Sequence, residues 1–180
     1  MIGGGSVIWI TGLSGAGKST VAQAVVARLR EQGDTVISLD GDELREVFGA
    51  TAITGENHGG EARLTLAKRY SALSRVLSAQ GHTVVVATIS LFREVHEWNR
   101  GNIPNYFEVF LRVPIDELRR RDPKGLYSRF EAGELENVAG LDLKVEEPES
   151  PNWLVDFDPG KTALSIASEL VDRAKKEKII

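Results

Sequence analysis

The sequence predicts an α/β fold, a three-layer sandwich in which helices cover both faces of a parallel β-sheet. Short, β-branched apolar runs, typical of strands buried on both faces, occur at 7–10, 36–39, 83–89 and 106–113. Amphipathic helical patterns alternate with these runs, as in layered α/β proteins with right-handed crossovers. Because 180 residues with 42% hydrophobic content suffice for one ordinary core, we expect a single domain over residues 1–180.

The helices are predicted from apolar residues that recur at helical spacing. The first pattern places Val21, Val25 and Leu29 on one face and stops before Gly33. Two later patterns contain, respectively, Leu66, Tyr70, Leu73 and Leu77, and Ala163, Ile166, Leu170 and Ala174. The first two patterns follow the first and second predicted strands, and the third follows the long segment after the fourth strand.

Two stretches interrupt the alternation, residues 49–60 and residues 122–150. Both are rich in Gly, Pro, Asn or charged residues. In a small α/β enzyme such excursions are usually substrate loops, with plain surface loops as the alternative.

Composition narrows the class of protein. The chain has no cysteine, which excludes a disulfide framework, a thiolate metal site and a thiol nucleophile. Residues 1–6 carry no basic targeting region and no apolar run reaches membrane-spanning length, so we expect a cytoplasmic protein without a membrane partner. A net charge of −4 argues against nucleic acid as a partner. We expect a small-molecule nucleotide substrate, and a homodimer is left open.

Residues 12–20 satisfy the phosphate-loop (P-loop) pattern GxxxxGK[ST], between a predicted strand and a predicted helix. Backbone N–H groups of such a loop surround phosphates, and the helix N-terminus adds positive potential. Lys18 is expected to reach the β- and γ-phosphates, and the Ser19 hydroxyl to ligate Mg²⁺. The predicted ATP site comprises Gly12, Leu13, Ser14, Gly15, Ala16, Gly17, Lys18, Ser19 and Thr20. A glycine-rich turn without a ligand is the alternative.

Features outside this loop favour a small-molecule kinase that uses ATP and Mg²⁺. The strand at 83–89 ends without Asp or Glu, so the second magnesium carboxylate usual in ATPases is missing there. No NKxD-type guanine reader occurs in the chain. A P-loop NTPase fold alone does not separate these classes, and these two absences disfavour ATPases and GTPases.

Asp40 and Asp42 follow the second predicted strand, at the end where open parallel sheets bind ligands. One carboxylate can accept a proton from an attacking hydroxyl while the other orients magnesium-bound water. We predict Asp42 as the general base and Arg45 as a contact for an anionic acceptor. The alternative is that Asp40 or Asp42 only caps a helix that starts near Glu43.

Four segments occur along the chain: GLSGAGKST, LDGDELR, ATISLFR and RDPKGLYSRFEAGEL. With these motifs in the same order and spacing, the chain resembles adenylylsulfate (APS) kinases over most of its length. The resemblance implies a P-loop fold with a lid over about 122–150, and transfer of the ATP γ-phosphoryl group to the ribose 3′-hydroxyl of a nucleotide.

Site residues follow from the resemblance by motif. Asp42, Lys18 and Ser90 form the predicted catalytic set, Ser90 being the serine to which that family's phosphoserine intermediate has been ascribed. Because direct transfer needs no such intermediate, we interpret Ser90 as a hydrogen-bonding residue. Arg121 is expected to close over the ATP phosphates, with the solvated face of a short helix as the alternative. The predicted substrate contacts are Asp40, Asp42, Arg45, His58, Arg63, Ser90, Phe92, Arg93, Lys124 and Leu141.

The sequence departs from the resemblance where the acceptor base would bind. His58 and Val138 stand where the family has two Phe residues that resemble a clamp around adenine. Stacking on a ring is worth about 1–3 kcal/mol per base, and neither residue reproduces that clamp. APS is therefore one predicted acceptor, and a cytidine nucleotide, as in the similar cytidine diphosphoramidate kinases, is the alternative. A non-catalytic ATP-binding regulatory subunit is the third possibility.

Overall fold

A parallel sheet forms the centre of the molecule. The computed structural model describes residues 4–49 and 60–180, and within them the strand order is β2-β3-β1-β4-β5. The strands are β1 (Ser6–Thr11), β2 (Val36–Asp40), β3 (Thr83–Thr88), β4 (Tyr106–Arg112) and β5 (Trp153–Asp156). The helices are α1 (Lys18–Glu31), α2 (Gly41–Val47), α3 (Gly60–Ala79), α4 (Arg93–Asn102), α5 (Ile115–Arg121), α6 (Leu126–Glu131) and α7 (Ala163–Lys176).

The register brings the carboxyl ends of three strands together. β1 lies at the centre, where Thr11 pairs with Thr88 of β3 and Phe110 of β4. On the far side of β3, Asp40 at the end of β2 pairs with Ala87. The segments that follow β1, β2 and β3 therefore leave the sheet side by side. They contain the predicted P-loop, the carboxylate pair and Ser90.

Apolar side chains pack on both faces of the sheet. One core contains Ile8 and Ile10 of β1 with Leu29 of α1 and Leu170 of α7. The other contains Val7 and Trp9 of β1 with residues of α2, α3 and α4. The predicted three-layer α/β fold is confirmed, because successive residues of a strand point to opposite faces.

Three elements of the carboxyl half were not predicted: α4, β5 and the six-residue α6, which lies within the predicted loop or lid. β5 has only four residues, with alternate ones buried, and so lacks the continuous apolar run used to identify the other strands. α4 carries a narrow apolar stripe, and two of its buried residues are the polar His96 and Asn99. Within the described ranges no helix combines the length and apolarity that a bilayer span requires.

The contact between α7 and α1 gives a stability prediction. Leu170 is fully buried in α7, so Leu170→Ala should lower the free energy of unfolding by about 3 kcal/mol through lost burial and the cavity left behind. Leu164 lies on the same helix but is 74% exposed, so Leu164→Ala should change it by less than about 0.5 kcal/mol. Urea unfolding of both variants measures the difference. Equal losses would contradict the packing described for α7.

Candidate active site

A cleft of about 1060 Å³ opens at the carboxyl edge of the sheet. Its walls come from the P-loop, the start of α2, the first half of α3, the end of β3 and the segment from Arg121 to Val145. The predicted site residues that line it are Ser14, Gly15, Gly17, Lys18, Ser19, Thr20, Asp40, Asp42, Arg45, Arg63, Ser90, Phe92, Arg121 and Lys124. The fold thus brings most of the predicted site into one cavity.

The P-loop has the backbone of an anion-binding turn. Gly15 and Gly17 have φ of 79° and 94°, in the left-handed region that favours glycine. Gly17 is the N-cap of α1 and offers no capping side chain, so the first-turn N–H groups remain available to an anion. Gly12, Leu13 and Ala16 belong to the same loop but are not among the described residues that line the cleft. Leu13 and Ala16 pack against the core instead.

Lys18 bends back over the loop and donates a hydrogen bond from Nζ to the Leu13 carbonyl oxygen, at 2.8 Å. Desolvation lowers the pKa of Lys18 to about 8, and the charge of Lys124 adds to this effect. The carboxylates of Asp42 and Asp40 oppose it. Burial of Lys18 therefore disfavours its charged form.

Asp40 connects the P-loop to α2. Ser19 Oγ donates to Asp40 Oδ2 at 2.6 Å, and the backbone N–H of Asp42 donates to Asp40 Oδ1 at 2.9 Å. The second bond caps α2, which begins at Gly41 rather than near Glu43. Of the two carboxylates considered as a cap, Asp40 takes that role and leaves the Asp42 side chain available.

The oxygens of Ser19 and Asp40 suit Mg²⁺ that arrives with a nucleotide. Mg²⁺ prefers oxygen ligands and typically takes one or two protein groups together with phosphates and water. Two such oxygens lie 2.6 Å apart at the P-loop. Among the described residues no group of three His, Cys, Asp or Glu side chains could hold a metal.

Asp42 accepts hydrogen bonds from two cations. Arg45 Nη1 donates to Oδ1 at 3.2 Å, and Lys124 Nζ donates to Oδ2. Burial alone would raise the pKa of Asp42, but the hydrogen bond and charge of Lys124, with the charges of Arg45 and Lys18, hold this pKa below its ordinary value. Asp42 is therefore an ionised carboxylate beside the P-loop.

Ser90 follows β3 in a strained conformation. Its φ is 26°, unusual for a residue with a side chain. Its buried hydroxyl is hydrogen-bonded to Thr88 Oγ1, at 2.8 Å between oxygens. Arg93 is not among the described residues that line the cleft: its backbone N–H donates to Glu146 Oε2 at 2.9 Å, and its side chain pairs with Glu149 at 3.1 Å.

The segment after α5 reaches over the P-loop. Arg121 Nη1 donates to the Gly15 carbonyl oxygen at 3.2 Å, and its Nε donates to Glu117 Oε1 at 2.7 Å. Arg119 and Arg120 also pair with acidic side chains. Tyr127, which the sequence did not point to, is buried and donates to the Ser14 carbonyl oxygen at 2.8 Å.

The far wall of the cleft carries Arg63, a predicted substrate contact, and Val138. Arg63 Nη2 donates to the Asn137 carbonyl oxygen at 2.8 Å, and burial followed by the charge of Arg45 lowers the pKa of Arg63. Val138 is buried and lines the cleft.

Among the described residues, Arg93 and Leu141 are the predicted substrate contacts that do not line the cleft. Leu141 packs against the core and is not among the described residues that line the cleft. The turn that carries it sits on the P-loop, since a Cβ added at Gly140 would lie 2.8 Å from a methyl carbon of Leu13. His58 lies outside the described residues.

A second cavity of about 230 Å³ lies on the other side of the P-loop. Ala16, Gly17 and Thr20 line it together with Phe157 and Lys161. Arg121 also borders it, with its guanidinium 5.0 Å from the centre of the Phe157 ring. The residues of this cavity that follow β5 were not predicted, because β5 itself was not recognised.

Comparison with known proteins gives one consistent family. The sequence profile of adenylylsulphate kinase matches residues 4–156. The adenylyl-sulfate kinase of Pseudomonas aeruginosa is 41% identical over 170 residues, covering 92% of this chain and 85% of that protein. The cytidine diphosphoramidate kinase of Campylobacter jejuni is 38% identical over 144 residues, covering 80% of this chain and 82% of that protein.

The fold agrees with a solved relative. The structure of the Mycobacterium tuberculosis APS kinase CysC, in complex with AMPPNP and APS, has a TM-score of 0.84 and 34% sequence identity to this chain. The match covers 95% of this chain and 98% of that one.

The lowered pKa of Lys18 predicts proton uptake on nucleotide binding. Above about pH 8 the free ammonium loses its proton, and bound phosphates restore it by favouring the charged form. Calorimetry of ADP and Mg²⁺ binding in buffers of different ionisation enthalpy, about one pH unit above that pKa, should show uptake approaching about one proton. About two units below it, Lys18 should contribute none.

Lys18→Arg is the matched control, because a guanidinium keeps the charge and does not titrate in this range. Proton uptake on binding of ADP and Mg²⁺ should therefore vanish in this variant. Equal uptake by the wild type and Lys18→Arg would contradict the assignment to Lys18.

Proposed function

The chain belongs to the adenylylsulphate kinase family, and from this premise we propose that it transfers the γ-phosphoryl group of ATP to the ribose 3′-hydroxyl of a nucleotide. Family membership makes the protein a small-molecule kinase with nucleotide substrates. The observation that carries the finer proposal is the shared carboxylate of Asp40, which fixes the Asp42 helix beside the phosphate-binding Ser19.

The donor nucleotide is held by the P-loop side of the site. Lys18, the α1 N-terminus and Arg121 supply positive potential for its phosphates. Ser19 and Asp40 would hold Mg²⁺, which neutralises charge on the phosphates when bound. The smaller cavity beside Phe157 suits the base of ATP, since it adjoins Gly17 and Thr20.

The acceptor hydroxyl is assigned to Asp42. An incoming hydroxyl that takes the place of Lys124 Nζ removes a strong hydrogen bond from the carboxylate and so raises the pKa of Asp42. The ionised group is then a better base at the moment it is needed. Arg45 and Arg63 remain beside it to bind an anionic group of the acceptor.

Transfer is direct. The acceptor oxygen forms a bond to the γ-phosphorus, the bond from that phosphorus to the β–γ bridging oxygen breaks, and the hydroxyl proton passes to Asp42. ADP leaves with the bridging oxygen. Ser90 needs no covalent part, and its hydrogen bond to Thr88 supports a role in shaping the end of β3.

Two acceptors remain candidates. The relatives named for adenylyl sulfate and for cytidine diphosphoramidate are 41% and 38% identical to this chain, so identity does not separate them. Val138 of the lid, with Leu66 and Leu143, lines the cleft with aliphatic side chains beside the rings of Phe92 and Tyr70. Because Val138 stands where the family has a Phe of the adenine clamp, it supports keeping the cytidine nucleotide beside APS.

A transfer assay tests the proposal. The purified protein with ATP and Mg²⁺ should phosphorylate APS or CDP-phosphoramidate, with ADP released and the new phosphate on the 3′-oxygen by ³¹P NMR. Turnover of neither compound, with ADP binding intact, would count against the proposal and favour a regulatory ATP-binding subunit.

The substitution Asp42→Asn tests the proposed role of Asp42 as the general base. It should lower kcat by about 10²-fold while leaving ATP binding nearly unchanged, because only proton transfer in the transition state is lost. Glu43→Gln is the matched control, since Glu43 is the adjacent exposed carboxylate of α2 and is not among the described residues that line the cleft. An unchanged kcat in Asp42→Asn would remove Asp42 from the mechanism.

A further inference from the structure

α2 is held at both ends by a single side chain of α3. The Tyr70 hydroxyl donates a hydrogen bond to the Gly41 carbonyl oxygen, at 3.2 Å, in the first turn of α2. The Tyr70 ring also lies 6.0 Å, centre to centre, from the ring of Phe48 at the end of α2. Tyr70 is only 3% exposed, so both contacts lie in the interior.

The end of β3 supports the same turn from the opposite side. A Cβ added at Gly41 would lie 3.1 Å from Thr88 Oγ1 and 3.2 Å from the Ala87 carbonyl oxygen. Glycine at this position therefore lets α2 begin directly against the sheet. The turn that precedes Asp42 is enclosed between Tyr70 and Thr88.

These contacts matter because α2 cannot hold its own position. It has seven residues, and isolated helices shorter than about 12–15 residues are marginal in water. Asp42 and Arg45, the two functional residues of this helix, are both exposed. Their location relative to the P-loop depends on the Asp40 cap, on Leu44 in the core and on the Tyr70 contacts.

We propose that Tyr70 is a positioning residue for phosphoryl transfer, which fixes the start of α2 so that the Asp42 carboxylate lies at the correct distance from the P-loop. The inference rests on the proposed function, because it assigns Asp42 the acceptor proton. Tyr70 itself does not touch the reacting atoms. Its hydroxyl is committed to Gly41, although its ring borders the cleft.

The donor role of Tyr70 holds across the physiological range. Burial raises the pKa of Tyr70 to about 12, with the carboxylates of Asp42 and Asp40 adding to the effect and Arg45 opposing it. The hydroxyl therefore keeps its proton and continues to donate to the Gly41 carbonyl oxygen whenever Asp42 is ionised.

Tyr70→Phe removes the hydroxyl and keeps the ring against Phe48. It should lower kcat by about 10-fold with little change in the KM for ATP, because misplacement of a catalytic group by a fraction of an ångström costs rate rather than donor binding. Gly41→Ala displaces the same turn from the side of Thr88 and should give the same kinetic pattern.

Tyr106→Phe is the matched control. Tyr106 is also buried, and its hydroxyl donates to Glu108 Oε1 at 2.9 Å, away from the residues that line the cleft. It should lose thermal stability to a similar extent and keep the wild-type kcat. A similar loss of kcat in Tyr106→Phe would show that Tyr70→Phe acts only through general stability.

A double-mutant cycle separates positioning from any other role. If Tyr70 acts through Asp42, then Tyr70→Phe should lower kcat by less than about 2-fold in the Asp42→Asn background. A full 10-fold loss in that background would overturn the proposal, since it would show a contribution independent of Asp42.

Hydrogen exchange provides a readout that does not depend on the acceptor. Amides of α2 should exchange about 10-fold faster in Tyr70→Phe and Gly41→Ala than in the wild type, with α1 amides unchanged. Unchanged exchange in α2 would overturn the proposal. Failure of the wild type to phosphorylate any nucleotide would refute the proposed function instead, and the exchange data would still decide whether Tyr70 holds α2.

Discussion

The carboxylate of Asp40 is the interaction on which the rest of the site depends. One of its oxygens accepts from Ser19 at the start of α1, and the other accepts from the backbone of Asp42 at the start of α2. The parallel register places Asp40 opposite Ala87, at the edge where β1 runs into the P-loop. A single side chain thus joins the P-loop to the helix that carries Asp42, the proposed base.

Three positively charged side chains surround the neighbouring carboxylate of Asp42. Three cations, Lys18, Lys124 and Arg45, act on Asp42 and favour its ionised form. Burial lowers the pKa of Lys18, because it disfavours the charged form of that side chain. Fixed charges of this kind stabilise developing charge without reorganisation, and in many enzymes this electrostatic effect contributes more to catalysis than any other. In the proposed reaction, phosphates and an acceptor hydroxyl would replace the pairings of Lys18 with Leu13 and of Lys124 with Asp42.

Local sequence patterns predicted the parts of the protein that depend on local chemistry. The P-loop is a contiguous motif, and four strands are continuous apolar runs, so both were found in the sequence. The carboxylate pair was found because it follows a recognisable strand. β5 and the cavity beside Phe157 were not found, because a four-residue alternating strand lacks a comparable signal.

Contacts between distant segments could not be predicted in this way. Tyr70 has the spacing of an ordinary core residue, and only the fold brings its hydroxyl to Gly41, 29 residues away. Tyr127 reaches Ser14 across 113 residues for the same reason. Motif matching placed Leu141 at the substrate, whereas its turn packs on Leu13 and directs Leu141 to the core.

The most direct test of the central role of Asp40 is the Mg²⁺ dependence of ADP binding in Asp40→Asn, measured by calorimetry. Asparagine keeps an oxygen to cap α2 but loses the charge beside Ser19. We expect the gain in ADP affinity on adding Mg²⁺ to fall by about 10- to 100-fold, while affinity without Mg²⁺ is kept. If Mg²⁺ increases the ADP affinity of Asp40→Asn as much as that of the wild type, this role is contradicted, and Asp40 acts only as a helix cap.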